Sequence, residues 1–227
     1  MYWIILIGFG ILSWSVSSRL KNRFRAYTEV PTSSGLSGAE IAEKMLRDYN
    51  IHDVKVLSVE GELTDHYNPK TKTINLSRAV FHGRNVAAAA VAAHETGHAV
   101  QHATAYAMLS FRSAMVPMVN LSSKLMNVIF IVAILGGAVF GLMPQMFMLV
   151  IVAQAVITLF SLITLPVEFD ASARALQWLN MSKVTQGEEH AKAKNALQWA
   201  ASTYVVATLA AITQLLYFIM AFGGSRD

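Results

Sequence analysis

Four long apolar segments constrain this chain more than any other feature, because each is close to the ~20 residues that a helix needs to cross ~30 Å of hydrocarbon. They are Tyr2–Ser18, Leu125–Met143, Met146–Val167 and Thr203–Phe222. Only 14% of the residues are charged and 54% are hydrophobic, whereas ordinary soluble domains carry about 25% charged residues. The sequence therefore predicts a mainly α-helical membrane protein with about four transmembrane helices.

The charged residues predict how these helices are oriented. A basic run, Arg19–Arg25, directly follows the first apolar segment, and such flanks favour the cytoplasmic side. No basic residue precedes this segment and no small-x-small cleavage site follows it, so we expect an uncleaved anchor with its N-terminus outside. The expected divisions are an anchor at 1–18, a cytoplasmic part at 19–115, a transmembrane hairpin at 116–167, cytoplasmic helices at 168–202 and a last transmembrane helix at 203–227.

One pentapeptide, His94-Glu95-Thr96-Gly97-His98, carries the strongest chemical signal. Residues four positions apart lie on the same face of a helix, so both histidines can bind one metal ion. Glu95 lies beside that face, where it can act on a water molecule. The alanine-rich flanks favour a long buried helix. The alternative interpretation is a core helix that carries two histidines by chance.

A catalytic zinc site needs a third protein ligand, for which Glu168 and Asp170 are the candidates. They are the next acidic residues after Glu95, and both follow Pro166, which we expect to end the third span and start a new helix. On one helix these two carboxylates point ~200° apart, so they cannot both bind one metal. We favour Glu168 as the ligand, with Asp170 paired with Arg174 or bonded to a ligand histidine. The alternatives are Asp170 as the ligand, or Glu168 as a helix cap without a metal.

The segment before the histidine pair predicts a helix and a small sheet, and the sheet and the metal helix together form the expected cytoplasmic zincin-like part. Ser37 and Glu40 form a capping box for a helix that ends near Tyr49. Ser77 could cap a second, short helix. Three segments have the composition or turn signals of strands: Val54–Val59, Leu63–Tyr67 and Thr73–Leu76. The free edge of such a sheet could bind an extended polypeptide as an added strand, or the sheet could only cover the metal helix.

These motifs also resemble those of a known family. The resemblance rests on four segments: Leu63–Pro69, Ala92–His102, Leu165–Ser172 and Ala200–Val205. Together they resemble the YugP-type bacterial membrane neutral zinc metallopeptidases along nearly the whole chain, and more distantly the HtpX group of membrane proteases. The resemblance implies a multi-pass protein of the bacterial inner membrane with zinc bound by His94, His98 and Glu168. In the HtpX group an aspartate follows the glutamate by four residues, whereas this chain has Ser172 there.

The sequence therefore predicts a membrane-embedded zinc metalloendopeptidase with Glu95 as general base and a cytoplasmic active site. Its expected partners are the lipid bilayer and a polypeptide substrate. A hydrogen-bond donor for the developing oxyanion is also expected, and there are four candidates: His66, Tyr67, His102 and Arg174. His102 lies ~6 Å along the helix from His98, too far to bind the same metal.

Other classes of function are disfavoured by the sequence. A non-proteolytic scaffold or chaperone-like protein stabilised by zinc would have no use for Glu95 beside an open metal position. A site-2-type intramembrane protease needs an acidic ligand inside a span, and residues 125–167 contain none. The chain has no cysteine, which excludes thiolate ligands. It also has no basic stripe interleaved with aromatic residues, so nucleic-acid binding is not expected. Nothing in the sequence indicates an oligomeric state.

Overall fold

The computed structural model describes residues 2–136 and 144–223. In chain order the elements are α1 (Tyr2–Thr28), α2 (Gly38–Asp48), β1 (Lys55–Val59), β2 (His66–Asn68), β3 (Thr73–Ser77), α3 (Arg78–His82), α4 (Val86–Ala103), α5 (Ala107–Gly136), α6 (Pro144–Met181) and α7 (Gly187–Gly223). Four of these helices, α1, α5, α6 and α7, are long and apolar enough to cross a membrane. The prediction of a mainly helical chain with four spans and a small sheet is confirmed. The expected end of the second span at Met143 lies outside the described residues.

The long helices continue beyond the predicted ends of the spans. α6 runs without interruption through Pro166 to Met181, so the prediction that Pro166 ends one helix and starts another is wrong. A membrane helix tolerates a proline where packed neighbours support the backbone around it. Here the adjacent Val167 is completely buried, and its carbonyl accepts a hydrogen bond from Gln101 of α4 at 2.8 Å. Glu168 therefore lies on the same rigid helix as the third span.

The predicted boundaries at residues 18, 115, 167 and 202 all fall inside helices. α1 and α7 each extend about ten residues or more beyond the apolar segment that predicted them, and both helices pack against α4. Each membrane helix is thus continuous with a polar extension. Glu168 is positioned relative to the third span because both belong to one continuous helix.

The three strands form one sheet in the order β1-β3-β2. β1 pairs parallel to β3, and β2 pairs antiparallel to β3 with Tyr67 opposite Ile74, as the predicted hairpin requires. The capping box of α2 is present, with Ser37 and Glu40 bonded to each other as expected. α3 begins after Ser77, but Ser77 does not cap it. Its hydroxyl instead binds the Asp65 carboxylate, which also accepts the Ser77 backbone N–H at 2.7 Å.

α4 is the central buried helix of the fold, and it packs closely on α6. A side chain at Gly97 would place its Cβ 2.6 Å from the carbonyl oxygen of Ala171, a separation that real Cβ atoms do not show. Only glycine therefore allows the two backbones to approach this closely. This close contact brings the helix that carries His94 and His98 next to the helix that carries Glu168.

Candidate metal centre

α4 and α6 bring three metal-binding side chains together: His94, His98 and Glu168. Their ligand atoms all lie within 4.8 Å of one another. Glu168 Oε2 is 3.3 Å from His94 Nε2 and 3.6 Å from His98 Nε2. Ligand atoms that surround a tetrahedral zinc at ~2.1 Å are separated by ~3.4 Å. The spacing of the three side chains therefore fits a single zinc ion.

The buried carboxylate supports the same conclusion. The Glu168 side chain is only 4% exposed, and its Oε2 is fully buried without a hydrogen-bond partner among the described residues. A buried carboxylate oxygen left unpaired costs several kcal/mol. A cation held between this oxygen and two imidazole nitrogens removes that penalty. The donor set of two nitrogens and one oxygen is also one that zinc commonly takes in proteins.

Gln101 sets the orientation of His98. Its amide nitrogen donates to Asp170 Oδ2 at 2.7 Å and to the Val167 carbonyl at 2.8 Å. The amide oxygen consequently faces His98 Nδ1 at 2.9 Å. A carbonyl oxygen only accepts, so Nδ1 carries the proton and Nε2 is free to bind a metal. Asp170 thus acts on His98 through Gln101, and it also forms the expected ion pair with Arg174 at 2.6 Å.

Ser172 provides the corresponding contact for His94. Its Oγ lies 3.1 Å from His94 Nδ1, so the hydroxyl can accept the Nδ1 proton and leave Nε2 for the metal. This is the position where the HtpX group carries an aspartate. A serine can make the same hydrogen bond without adding a second negative charge to the centre.

The carboxylates around His98 also affect its protonation. Burial alone would lower the pKa of this imidazole, but the neighbouring carboxylates of Glu168, 3.6 Å away, and Glu95 outweigh burial and raise the pKa above its usual value. The negative charge that favours an imidazolium here equally favours a metal cation bound between the same groups.

Gln101→Leu is expected to weaken zinc binding by about 10- to 100-fold. The leucine has a similar size but leaves His98 Nδ1 without an acceptor and Asp170 with Arg174 as its remaining partner. We would measure zinc affinity by competition with a chromogenic chelator. The matched control is Gln198→Leu, since Gln198 is exposed on α7. Unchanged affinity in a folded Gln101→Leu protein would contradict the role given to Gln101.

Glu95 lies between the metal centre and the sheet. Its carboxylate is largely buried, and Oε2 accepts the backbone N–H of Tyr67 at 3.0 Å. Tyr67 belongs to β2, which is an edge strand of the sheet. The sheet therefore holds the Glu95 side chain in one orientation and leaves its second oxygen without this restraint.

None of the four predicted oxyanion donors is among the residues that line the cavity at the metal centre, although the Tyr67 backbone N–H contacts Glu95. His66 is exposed and lies close to Thr64 and Asn75. Burial raises the pKa of the Tyr67 phenol to about 12, so the phenol keeps its proton, and its oxygen shares a hydrogen bond with His102 Nδ1 at 2.8 Å. The fourth candidate, Arg174, is engaged by Asp170.

A cavity of about 200 Å³ opens beside the metal centre. His94, Glu95 and Glu168 form its polar side, and Leu20 of α1 and Tyr204 of α7 lie on other walls. Helices from both ends of the chain thus enclose the groups that could carry out chemistry. The space beside the carboxylates is large enough for part of a substrate.

Sequence reasoning missed two polar residues near Glu168. Arg112 of α5 places its guanidinium 3.8 Å from Glu168 Oε1, and the Tyr204 phenol interacts electrostatically with both Glu168 and Glu95. Tyr204 belongs to the Ala200–Val205 segment that carried part of the family resemblance, so a signal for it was present. Arg112 belongs to none of the motifs, and only the packing of α5 on α6 reveals it.

Together the fold and the site define a helical membrane protein with a candidate zinc centre of two histidines and a glutamate. Residues 2–223 match the family described as "Putative neutral zinc metallopeptidase". The chain is 39% identical over 216 residues to "Putative membrane protease YugP" of Bacillus subtilis (strain 168), across 95% of this chain and 94% of that protein. The chain therefore belongs to the neutral zinc metallopeptidase family, which confirms the resemblance and zinc as the cofactor. No solved structure matches the chain.

Proposed function

We propose that this protein is a membrane-embedded zinc metalloendopeptidase, with zinc held by His94, His98 and Glu168. The observation that carries the proposal is the position of Glu95 in the same cavity as these three ligands. Three protein ligands leave a fourth zinc position open for reacting groups, whereas a structural zinc site is closed by a fourth protein ligand. The group found among the described residues contains three ligands, which favours a peptidase over a zinc-stabilised scaffold.

The chain's own residues would divide the reaction between them. When bound, zinc would supply a Lewis acid that polarises the scissile carbonyl and acidifies water. Glu95 takes the proton from the attacking water and later gives it to the leaving amine. The Tyr67 N–H bond to Oε2 keeps that carboxylate oriented, so Oε1 is the oxygen that moves the proton. Gln101 and Ser172 hold the two imidazoles in the tautomer that leaves Nε2 free.

Tyr204 is our candidate for the donor to the developing oxyanion. It is a neutral donor that lines the cavity, unlike the four residues considered from the sequence. Removal of one such donor slows catalysis by about 10²- to 10³-fold. Tyr204→Phe should therefore lower kcat by this amount and keep its zinc. The control Tyr217→Phe, at a residue outside the cavity, should leave kcat unchanged. An unchanged kcat would remove Tyr204 from the mechanism.

We further propose that the polypeptide substrate lies extended beside β2. Among the described residues no further strand pairs with the outer edge of β2, and Tyr67 on this strand already contacts Glu95. Main-chain hydrogen bonds along such an edge bind a peptide without selecting a sequence. Methylation of single backbone nitrogens in a cleaved peptide should reduce kcat/KM at alternate positions. A uniform response at every position would contradict binding as an added strand.

We place the active site on the cytoplasmic face of a bacterial inner membrane. Leu20, which lines the metal cavity, lies within the basic run Arg19–Arg25, and this run favours the cytoplasm. Because the chain contains no cysteine, Ser58→Cys on exposed β1 provides a single thiol for labelling. An impermeant maleimide should label it only after the inner membrane is permeabilised. Labelling in intact spheroplasts would reverse the proposed orientation.

The activity itself is tested with the purified full chain in detergent. The zinc-loaded protein should hydrolyse an unstructured protein such as casein, lose this activity on treatment with a chelator, and regain it with added zinc. A protein that holds one zinc per chain and cleaves neither casein nor a mixture of peptides would favour the scaffold alternative instead.

A further inference from the structure

A second cavity of about 320 Å³ adjoins the one at the metal centre. The two cavities share Leu63 and Asp65 as walls. They also meet at neighbouring residues of α1, because Leu20 lines the metal cavity and Lys21 lines the second one. A chain segment bound at the metal centre can therefore extend past Leu63 into the second cavity.

One face of α1 forms the positively charged wall of this second cavity. Lys21, Phe24, Arg25 and Thr28 all line it, at the spacing that places residues on one side of a helix. The opposite wall contains Ser77 at the end of β3 and residues around Leu63, so this face of α1 lies against the sheet. The two cations are one turn apart and point into the space between α1 and the sheet.

Neither cation has an acidic partner in the part of the chain that the structure describes, where the lysine and arginine ion pairs all involve other side chains. Two carboxylates share the cavity with Lys21 and Arg25. Asp65 is bonded to the N–H and hydroxyl of Ser77, and the exposed Glu62 pairs with neither cation. The cavity thus offers two unpaired cations to a bound anion.

We propose that this cavity is a subsite for an acidic side chain of the substrate, a preference that rests on the proposed peptidase function. Lys21 and Arg25 are ~6 Å apart along α1, and an extended peptide advances ~3.3 Å per residue. Because the two cavities share Leu63 and Asp65 as walls, we place the acidic side chain two or three residues from the scissile bond. Leu63 has an exposed side chain on both cavities, where it packs against the apolar stem of the intervening residue.

The test uses the zinc-loaded full chain and peptides blocked at both ends, so that terminal charges play no part. All peptides share one apolar sequence. Each carries a single Glu, Gln or Lys, placed either two or three residues from the cleaved bond and on either side of it. Exposed ion pairs contribute up to about 1 kcal/mol, so at one of these positions Glu should raise kcat/KM about fivefold over Gln. Lys should not raise it.

The double variant Lys21→Gln with Arg25→Gln should remove the preference for Glu over Gln. The matched control is Arg23→Gln, because Arg23 lies ~200° around α1 from Lys21 and lines neither cavity. This control should keep the preference.

Equal cleavage of the Glu and Gln peptides by the parent protein would overturn the subsite, whether or not the double variant folds. A preference for Glu that survives the double variant would also overturn it. If the two cations bind lipid instead, the double variant will lose binding to phosphatidylglycerol vesicles with no change in peptide preference. A parent that holds zinc but cleaves none of the peptides would overturn the proposed function itself, which separates the two failures.

Discussion

Glu95→Gln is expected to lower peptide hydrolysis by at least ~10²- to 10⁴-fold and to leave zinc binding unchanged. Glutamine has the same size, and its amide oxygen can still accept the Tyr67 N–H that holds this side chain at 3.0 Å. It cannot accept a proton from water, so only the proton transfer is lost. Zinc is retained because the three metal-binding atoms belong to His94, His98 and Glu168. Hydrolysis and zinc content would be measured on the same purified samples.

The control for this variant is Glu43→Gln, since Glu43 is an exposed residue on α2 and takes no part in the site. It should match the parent in both measurements. If Glu95→Gln cleaved peptides as fast as the parent, Glu95 would not be the general base. If it lost zinc as well as activity, the carboxylate would be acting on the metal and its role would have to be reassigned.

Glu168→Ala is expected to remove most of the bound zinc. Zinc binding to small protein sites is worth roughly 12 kcal/mol, so loss of one of three ligands should weaken affinity on the order of 10³-fold. The variant also leaves His94 and the buried His98 without their carboxylate partner. Zinc content after dialysis against a weak chelator would be measured by elemental analysis.

Asp170→Ala discriminates between the two carboxylates that the sequence offered as ligands. Asp170 contacts Gln101 and Arg174 rather than the imidazoles, so its removal should weaken zinc affinity only about 10- to 100-fold. Zinc lost from Asp170→Ala and kept by Glu168→Ala would move the third ligand to Asp170. In that case the interpretation of the geometry around Glu168 Oε2 would be wrong.

The sequence was sufficient to predict the features that depend on local pattern. Span length and apolar composition indicated the four long helices, and the capping box at Ser37 indicated α2. The spacing of His94 and His98 follows from helix geometry alone. Glu168 was favoured because it and Asp170 are the next acidic residues after Glu95, and the family resemblance pointed to the same residue.

Features that depend on which helices touch were not predictable in the same way. The local rule for proline predicted a break at Pro166, but packing of α6 against α4 keeps that helix continuous. Gln101 lies in the Ala92–His102 segment, but no pattern in that segment indicated its role. Its contact with His98 becomes evident once Val167 and Asp170 are seen to accept its amide hydrogens. Tyr204 and Arg112 likewise reach Glu168 from α7 and α5, which lie far away in sequence.

The central claim is that one zinc ion is bound between α4 and α6 by His94, His98 and Glu168. X-ray absorption at the zinc edge of the purified protein tests this most directly. The account predicts one zinc per chain with two imidazole nitrogens and oxygen ligands at ~2.0–2.2 Å, and loss of an oxygen ligand in any zinc that Glu168→Ala retains. A protein without zinc, or a zinc spectrum without two histidines, would contradict the claim.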